Sequence, residues 1–78
     1  MDRREKNDAD FGSIAVGKKI RIARKIKGLS QVELAEKTGV TRQTIGLVEA
    51  GRYNPSLRVC VKIAQALEKT LDDLFWVE

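Results

Sequence analysis

The chain has 78 residues, 33% of them charged, with a formal net charge of +4. That length holds one domain at most, with a core worth on the order of 3–5 kcal/mol, so support from a second copy of the chain is expected. One cysteine and no histidine exclude an intramolecular disulfide and argue against a zinc centre, and no apolar run of the ~18 residues needed to span a bilayer is present.

Charge is distributed unevenly. Residues 1–13 carry three basic and four acidic groups, and residues 14–62 carry eleven Lys/Arg against Glu33, Glu36 and Glu49. Residues 63–78 carry Lys69 against Glu68, Asp72, Asp73 and Glu78. A middle of +8 beside a tail of −3 points to a polyanion partner on one face, with a solvated helical surface as the plain alternative. The charged N-terminus lacks the apolar core of a signal peptide, so a cytoplasmic location is expected.

In chain order, residues 1–13 read as a mobile charged arm in which Met1 and Phe11 are the only apolar anchors. Its opposite charges nearly cancel, which argues against insertion into a nucleic-acid groove. The ordered unit is expected over residues 14–78. Its first helix spans Ile14 to Lys27, capped by Ser13 and closed by Gly28. Val16, Ile20, Ala23 and the aliphatic stem of Lys27 follow helical spacing, and a second stripe of Ala15, Ile22 and Ile26 widens the apolar face.

Leu29 to Gly51, LSQVELAEKTGVTRQTIGLVEAG, carries the densest local signal. Ser30 with Glu33 three residues on is a capping box, Val32, Leu34 and Ala35 are apolar, and Gly39 ends the helix. Thr41 caps a second helix with Ile45 and Val48 at i, i+3, and Gly51 ends it. Two short helices about a sharp turn form the geometry that presents the second helix to the DNA major groove.

Arg52 to Pro55 reads as a loop, and Ser56 caps a helix over Leu57 to Leu67 with Leu57, Cys60, Val61, Ile63, Ala64 and Leu67 apolar. Cys60 is expected to be a small buried hydrophobe rather than a reactive thiol. Thr70 opens a last short helix through Leu74, with Asp72 and Asp73 in the first turn where the helix dipole favours negative charge. Phe75, Trp76 and Val77 follow. A globule this small has little room for three such side chains, so they are expected to form a dimer seam.

Between Val16 and Phe75 the chain resembles the helix-turn-helix repressors of the phage lambda-repressor and Cro type, also called XRE-like regulators. The words that carry the resemblance are VGKKIRIARKIKGLSQVELAEKTGVTRQTIGLVEAGRYNPSL and KIAQALEKTLDDLF. It implies an all-α, compact five-helix, lambda-repressor-like domain that binds operator DNA as a dimer. It further implies that Arg42 to Ala50 is the recognition helix, with Thr41 at its cap touching a phosphate. Arg42, Gln43, Thr44 and Leu47 then lie on its exposed side, and Gln31 holds the DNA backbone and braces that helix. Ile45 and Val48 match buried positions, and Arg24 with Glu49 matches a structural salt bridge.

Two positions depart from the family pattern. Gly46 stands where a long polar side chain is common, costs roughly 1 kcal/mol of helix propensity, and lets another backbone come close. Leu47 is apolar, which suits a thymine methyl.

Arginine pairs bidentately with guanine O6 and N7, and glutamine with adenine N6 and N7, so Arg42 and Gln43 are the candidate base readers. Lys27, Arg52, Tyr53, Asn54 and Arg58 flank the helix pair in sequence and are the candidate phosphate contacts, with covering the loop as the other role open to Tyr53. Lys18, Lys19, Arg21 and Lys25 are expected only to solubilise the first helix. No glycine-rich phosphate loop or pocketed carboxylate pair points to an enzyme, and no cofactor, metal or small-molecule effector is expected.

The expectation is a homodimeric regulator of transcription, a repressor on a palindromic site in double-stranded DNA. An antitoxin or restriction–modification controller of the same fold is the alternative within DNA binding. A protein-interaction adaptor with weak DNA affinity is the alternative outside it.

Overall fold

The computed structural model describes residues 3–76, and the side chains of residues 13–76. Five helices and no strand are present among the described residues: α1 (Arg3–Ile26), α2 (Gln31–Thr38), α3 (Arg42–Glu49), α4 (Leu57–Leu67) and α5 (Leu71–Phe75). Four of them open on a hydroxyl cap. Ser30, Thr41, Ser56 and Thr70 each accept a hydrogen bond from the backbone N–H three residues on, which satisfies a donor that the first turn leaves orphaned. Glu33 and Asp73 return the bond to the backbone N–H of Ser30 and Thr70 at 2.8 and 3.0 Å, so both ends of each capping box close.

α1 corrects the expected boundary. It runs unbroken through Ser13, which is therefore interior to the helix rather than its cap. The segment RREKNDAD contains no proline, and its Arg, Glu, Lys and Ala are good helix formers, so nothing in it halts a helix before Gly12. Ser13 instead donates from Oγ to Oδ1 of Asn54 at 2.7 Å, tying α1 to the loop between α3 and α4. The side chains of residues 1–12, including the two anchors expected there, lie outside the described residues.

Ile20, Leu34, Ile45, Ile63, Leu67 and Leu74 are almost wholly excluded from solvent, and Ala23, Ala35, Val48 and Ala64 complete the core. Each helix contributes, and the i, i+3 and i, i+4 spacings in the sequence supply the pattern. The second stripe on α1 does not join them: Ile22 is 59% exposed and Ile26 80%. At 3.6 residues per turn, Ile22 and Ile26 lie about 200° and about 240° around the helix from the buried Ile20, on the side away from the core.

Helices α1 and α3 meet at backbone contact. A Cβ on Gly17 would lie 2.3 Å from the carbonyl oxygen of Glu49 and 2.6 Å from that of Val48. Only glycine leaves room for that approach. The close packing fixes where α3 sits on the globule.

Candidate nucleic-acid interface

The second helix of the pair is held by a buried polar network. Arg24 on α1 donates from Nε to Oε2 of Glu49 at 2.6 Å and from Nη2 to Oε1 at 3.2 Å, a two-pronged pairing. The two side chains are 9% and 4% exposed. Arg24 also donates from Nη1 to the carbonyl oxygen of Leu29 at 2.8 Å, and Gln31 donates from Nε2 to Glu49 Oε1 at 3.0 Å. One carboxylate at the end of α3 thus gathers α1 and α2, and Arg24 adds the intervening turn. Charge-assisted bonds of this kind are short and directional, and each buried charge here has its partner. Gln31 braces α3 in the folded chain by this contact.

The outward side of α3 stands in contrast. Arg42 and Gln43 at its start are exposed, and neither side chain makes a hydrogen bond or ion pair among the described residues. Thr41 Oγ1 accepts from the backbone N–H of Thr44 at 3.1 Å and lies 3.0 Å from Thr44 Oγ1, which fixes the first turn. Leu47 is 37% exposed on the same helix. The result is a short, rigid rod with free donors at its N-terminal end.

The flanking cations separate into two groups. Arg52 and Arg58 are exposed and unpaired among the described residues, and Tyr53 is 49% exposed. Asn54 is exposed, with its carboxamide oriented by Ser13. Lys27 is occupied elsewhere: its Nζ lies 2.8 Å from Glu68 Oε2, at the C-cap of α4. The hydrogen bond from Lys27, reinforced by its positive charge, holds the Glu68 carboxyl below the ordinary carboxylate range. Sequence proximity to the helix pair put Lys27 among the phosphate contacts, whereas its nearest partner comes from a residue far along the chain.

Sequence reasoning missed two features here. Arg21 and Lys25, assigned only to solubility, line a hollow of about 380 Å³ beside Gln31, Gly46 and Ala50. Gly17 was not singled out, because the reason for it is the backbone of a helix some thirty residues away. No group of metal-ligating side chains assembles among the described residues.

A braced helix pair whose second member projects free polar side chains from a five-helix globule defines the helix-turn-helix class. Residues 20–74 match the Helix-turn-helix family, and the chain belongs to it. It is 49% identical over 57 residues to an uncharacterised HTH-type transcriptional regulator of Archaeoglobus fulgidus, covering 73% of this chain and 81% of the other. It is 43% identical over 54 residues to the immunity repressor protein of Bacillus phage phi105, covering 69% of this chain and 38% of the repressor. The crystal structure of the restriction–modification controller protein C.AhdI from Aeromonas hydrophila superposes with a TM-score of 0.76 at 40% identity, over 80% of this chain and 94% of that one. The family is one of DNA-binding transcriptional regulators, and no helix among the described residues is long and apolar enough to cross a membrane.

Proposed function

We propose that this chain is a homodimeric transcriptional repressor that reads a palindromic operator by laying α3 of each copy in the major groove. The observation that carries the reading is the exposure of Arg42 and Gln43, without partners among the described residues, at the start of a helix locked from behind by Arg24, Glu49 and Gln31. Arg42 pairs with a guanine and Gln43 with an adenine in a half-site, Thr44 and Leu47 bear on neighbouring base edges, and Gln31, Thr41, Arg52, Tyr53, Asn54 and Arg58 hold phosphates. No step in this recognition requires a cofactor.

Dimerisation runs through the tail. Leu74 is buried and Phe75 packs half-buried against the core, while Trp76 is 62% exposed. The tail residues thus divide, the first two completing the globule and Trp76 remaining for a partner. Val77 lies outside the described residues. Two-fold symmetry then sets half-site centres about 34 Å apart, one helical turn of DNA, or a multiple of it.

Selection from a random pool of duplex DNA tests this reading. The expected product is a site with inverted symmetry and half-sites about 10–10.5 base pairs apart, or a multiple. A pool that yields no enriched site overturns it. The likeness to a restriction–modification controller over 94% of that protein's length supports a second reading, in which the operator lies ahead of a restriction–modification operon. Locating the selected site in its genome separates the two.

A further inference from the structure

Beside the exposed face of α3 lies the hollow already described, of about 380 Å³, lined by Arg21 and Lys25 of α1, Gln31 of α2, and Gly46 and Ala50 of the third helix and its cap. Arg24 and Glu49 also line it, and they neutralise one another. What remains is positive: Arg21 and Lys25 are exposed, one helical turn apart, with no carboxylate partner among the described residues. Residue 46 has no side chain to occupy that space. A Cβ there would meet only Oε1 of Gln31, at 4.0 Å, so the fold itself does not demand glycine at this position. An α-helix of eight residues is weakened when it carries an interior glycine without a packing reason.

Resting on the DNA-binding reading above, we propose that the hollow over Gly46 seats a phosphodiester of the DNA backbone, gripped by Arg21 and Lys25, and that α1 is thereby a third element of the interface. The ligand is an oxyanion because the uncompensated charge is two cations, one of them a guanidinium suited to bidentate phosphate pairing. It is the polymer rather than a free anion because the same helix that floors the hollow carries Arg42, Gln43 and Leu47 on its outward side. A strand whose bases meet those residues carries its phosphates past the flank of α3. A side chain at residue 46 would fill the seat.

The test is affinity measured against salt concentration for the full chain, on a selected operator and on random duplex. The double variant Arg21→Ala, Lys25→Ala is expected to keep its melting temperature, since both side chains are exposed. It is expected to weaken binding to both DNAs alike and to lower the slope of log affinity against log salt by about two, one for each lost phosphate contact. Gly46→Leu is expected to melt no lower than the parent and still to lose DNA affinity. A double variant with the parental slope, or a Gly46→Leu protein with parental affinity, overturns the proposal. So does a hollow that takes up inorganic phosphate while the double variant binds DNA as the parent does. A parent chain that shows no salt-dependent DNA binding at all defeats the DNA-binding reading itself, and is thereby distinguished from failure of the seat alone.

Discussion

Glu49 is the residue on which the helix pair depends most. Its carboxylate answers both Arg24 and Gln31, and with 4% of the side chain exposed no solvent replaces it. Glu49→Gln leaves the Arg24 guanidinium buried without a counter-charge. It is expected to cost about 3–5 kcal/mol, read as a fall in melting temperature or denaturant midpoint. Arg42→Ala is the opposite case, with stability unchanged and operator affinity down by about 1–3 kcal/mol, together with relaxed preference at one base pair. Equal losses on operator and random DNA would make Arg42 a phosphate contact instead. Gly17→Ala drives a methyl group into the carbonyl oxygens of Val48 and Glu49 and is expected to destabilise by about 1–3 kcal/mol in the same melts. These three positions were unequally legible in the sequence. Arg42 announces itself by type and by its place after a capping threonine. The pairing of Arg24 with Glu49 came only through resemblance to a family. Gly17 was silent, because a lone glycine in a helical run does not say which backbone passes beside it.

At the scale of the element, the caps were the most legible feature. Ser30, Thr41, Ser56 and Thr70 each act through bonds to their own next turn, so sequence alone contains both partners. The start of α1 was not legible in the same way, since Ser13 looks like a cap and the helix simply passes through it. Nor was the exposure of Ile22 and Ile26, which depends on how far around α1 its neighbours reach. Two helix ends also carry a pH signature. Hydrogen bonds from the backbone and hydroxyl of Thr70 depress the Asp73 carboxyl, and Lys27 depresses Glu68. Both groups bind protons less tightly when folded, so their contribution is complete above the ordinary carboxylate range and is lost as pH falls through and below it. Melting temperature is expected to decline on acidification from about pH 5 toward pH 3, and Glu68→Gln with Asp73→Asn is expected to flatten that decline.

For the whole molecule, the described part of the apolar tail divides between the core and the surface. Leu74 and Phe75 finish the core of their own chain, and Trp76 alone of the described tail residues stays largely in solvent, with its carbonyl oxygen accepting from Lys19 Nζ at 2.7 Å. Trp76→Ala is expected to leave the melting profile of the fold nearly intact while shifting sedimentation from dimer toward monomer at micromolar concentration. An unchanged dimer would move the seam elsewhere on the surface. The separate helices followed from periodicity and caps, and the fold class from the family resemblance. The assembly did not, because one chain's pattern does not distinguish a side chain that completes its own globule from one kept for another copy.

The meeting of Gly17 with the end of α3 has an outcome beyond stability. A reading rod welded to its support, carbonyl against α-carbon, has no hinge with which to follow an ill-shaped duplex. Accommodation then falls to the nucleic acid, which must twist or narrow to present its edges, and whose willingness to do so varies from one base step to the next. Preference should therefore extend to the untouched centre of the operator, where stiff and pliant steps differ in the bending they demand.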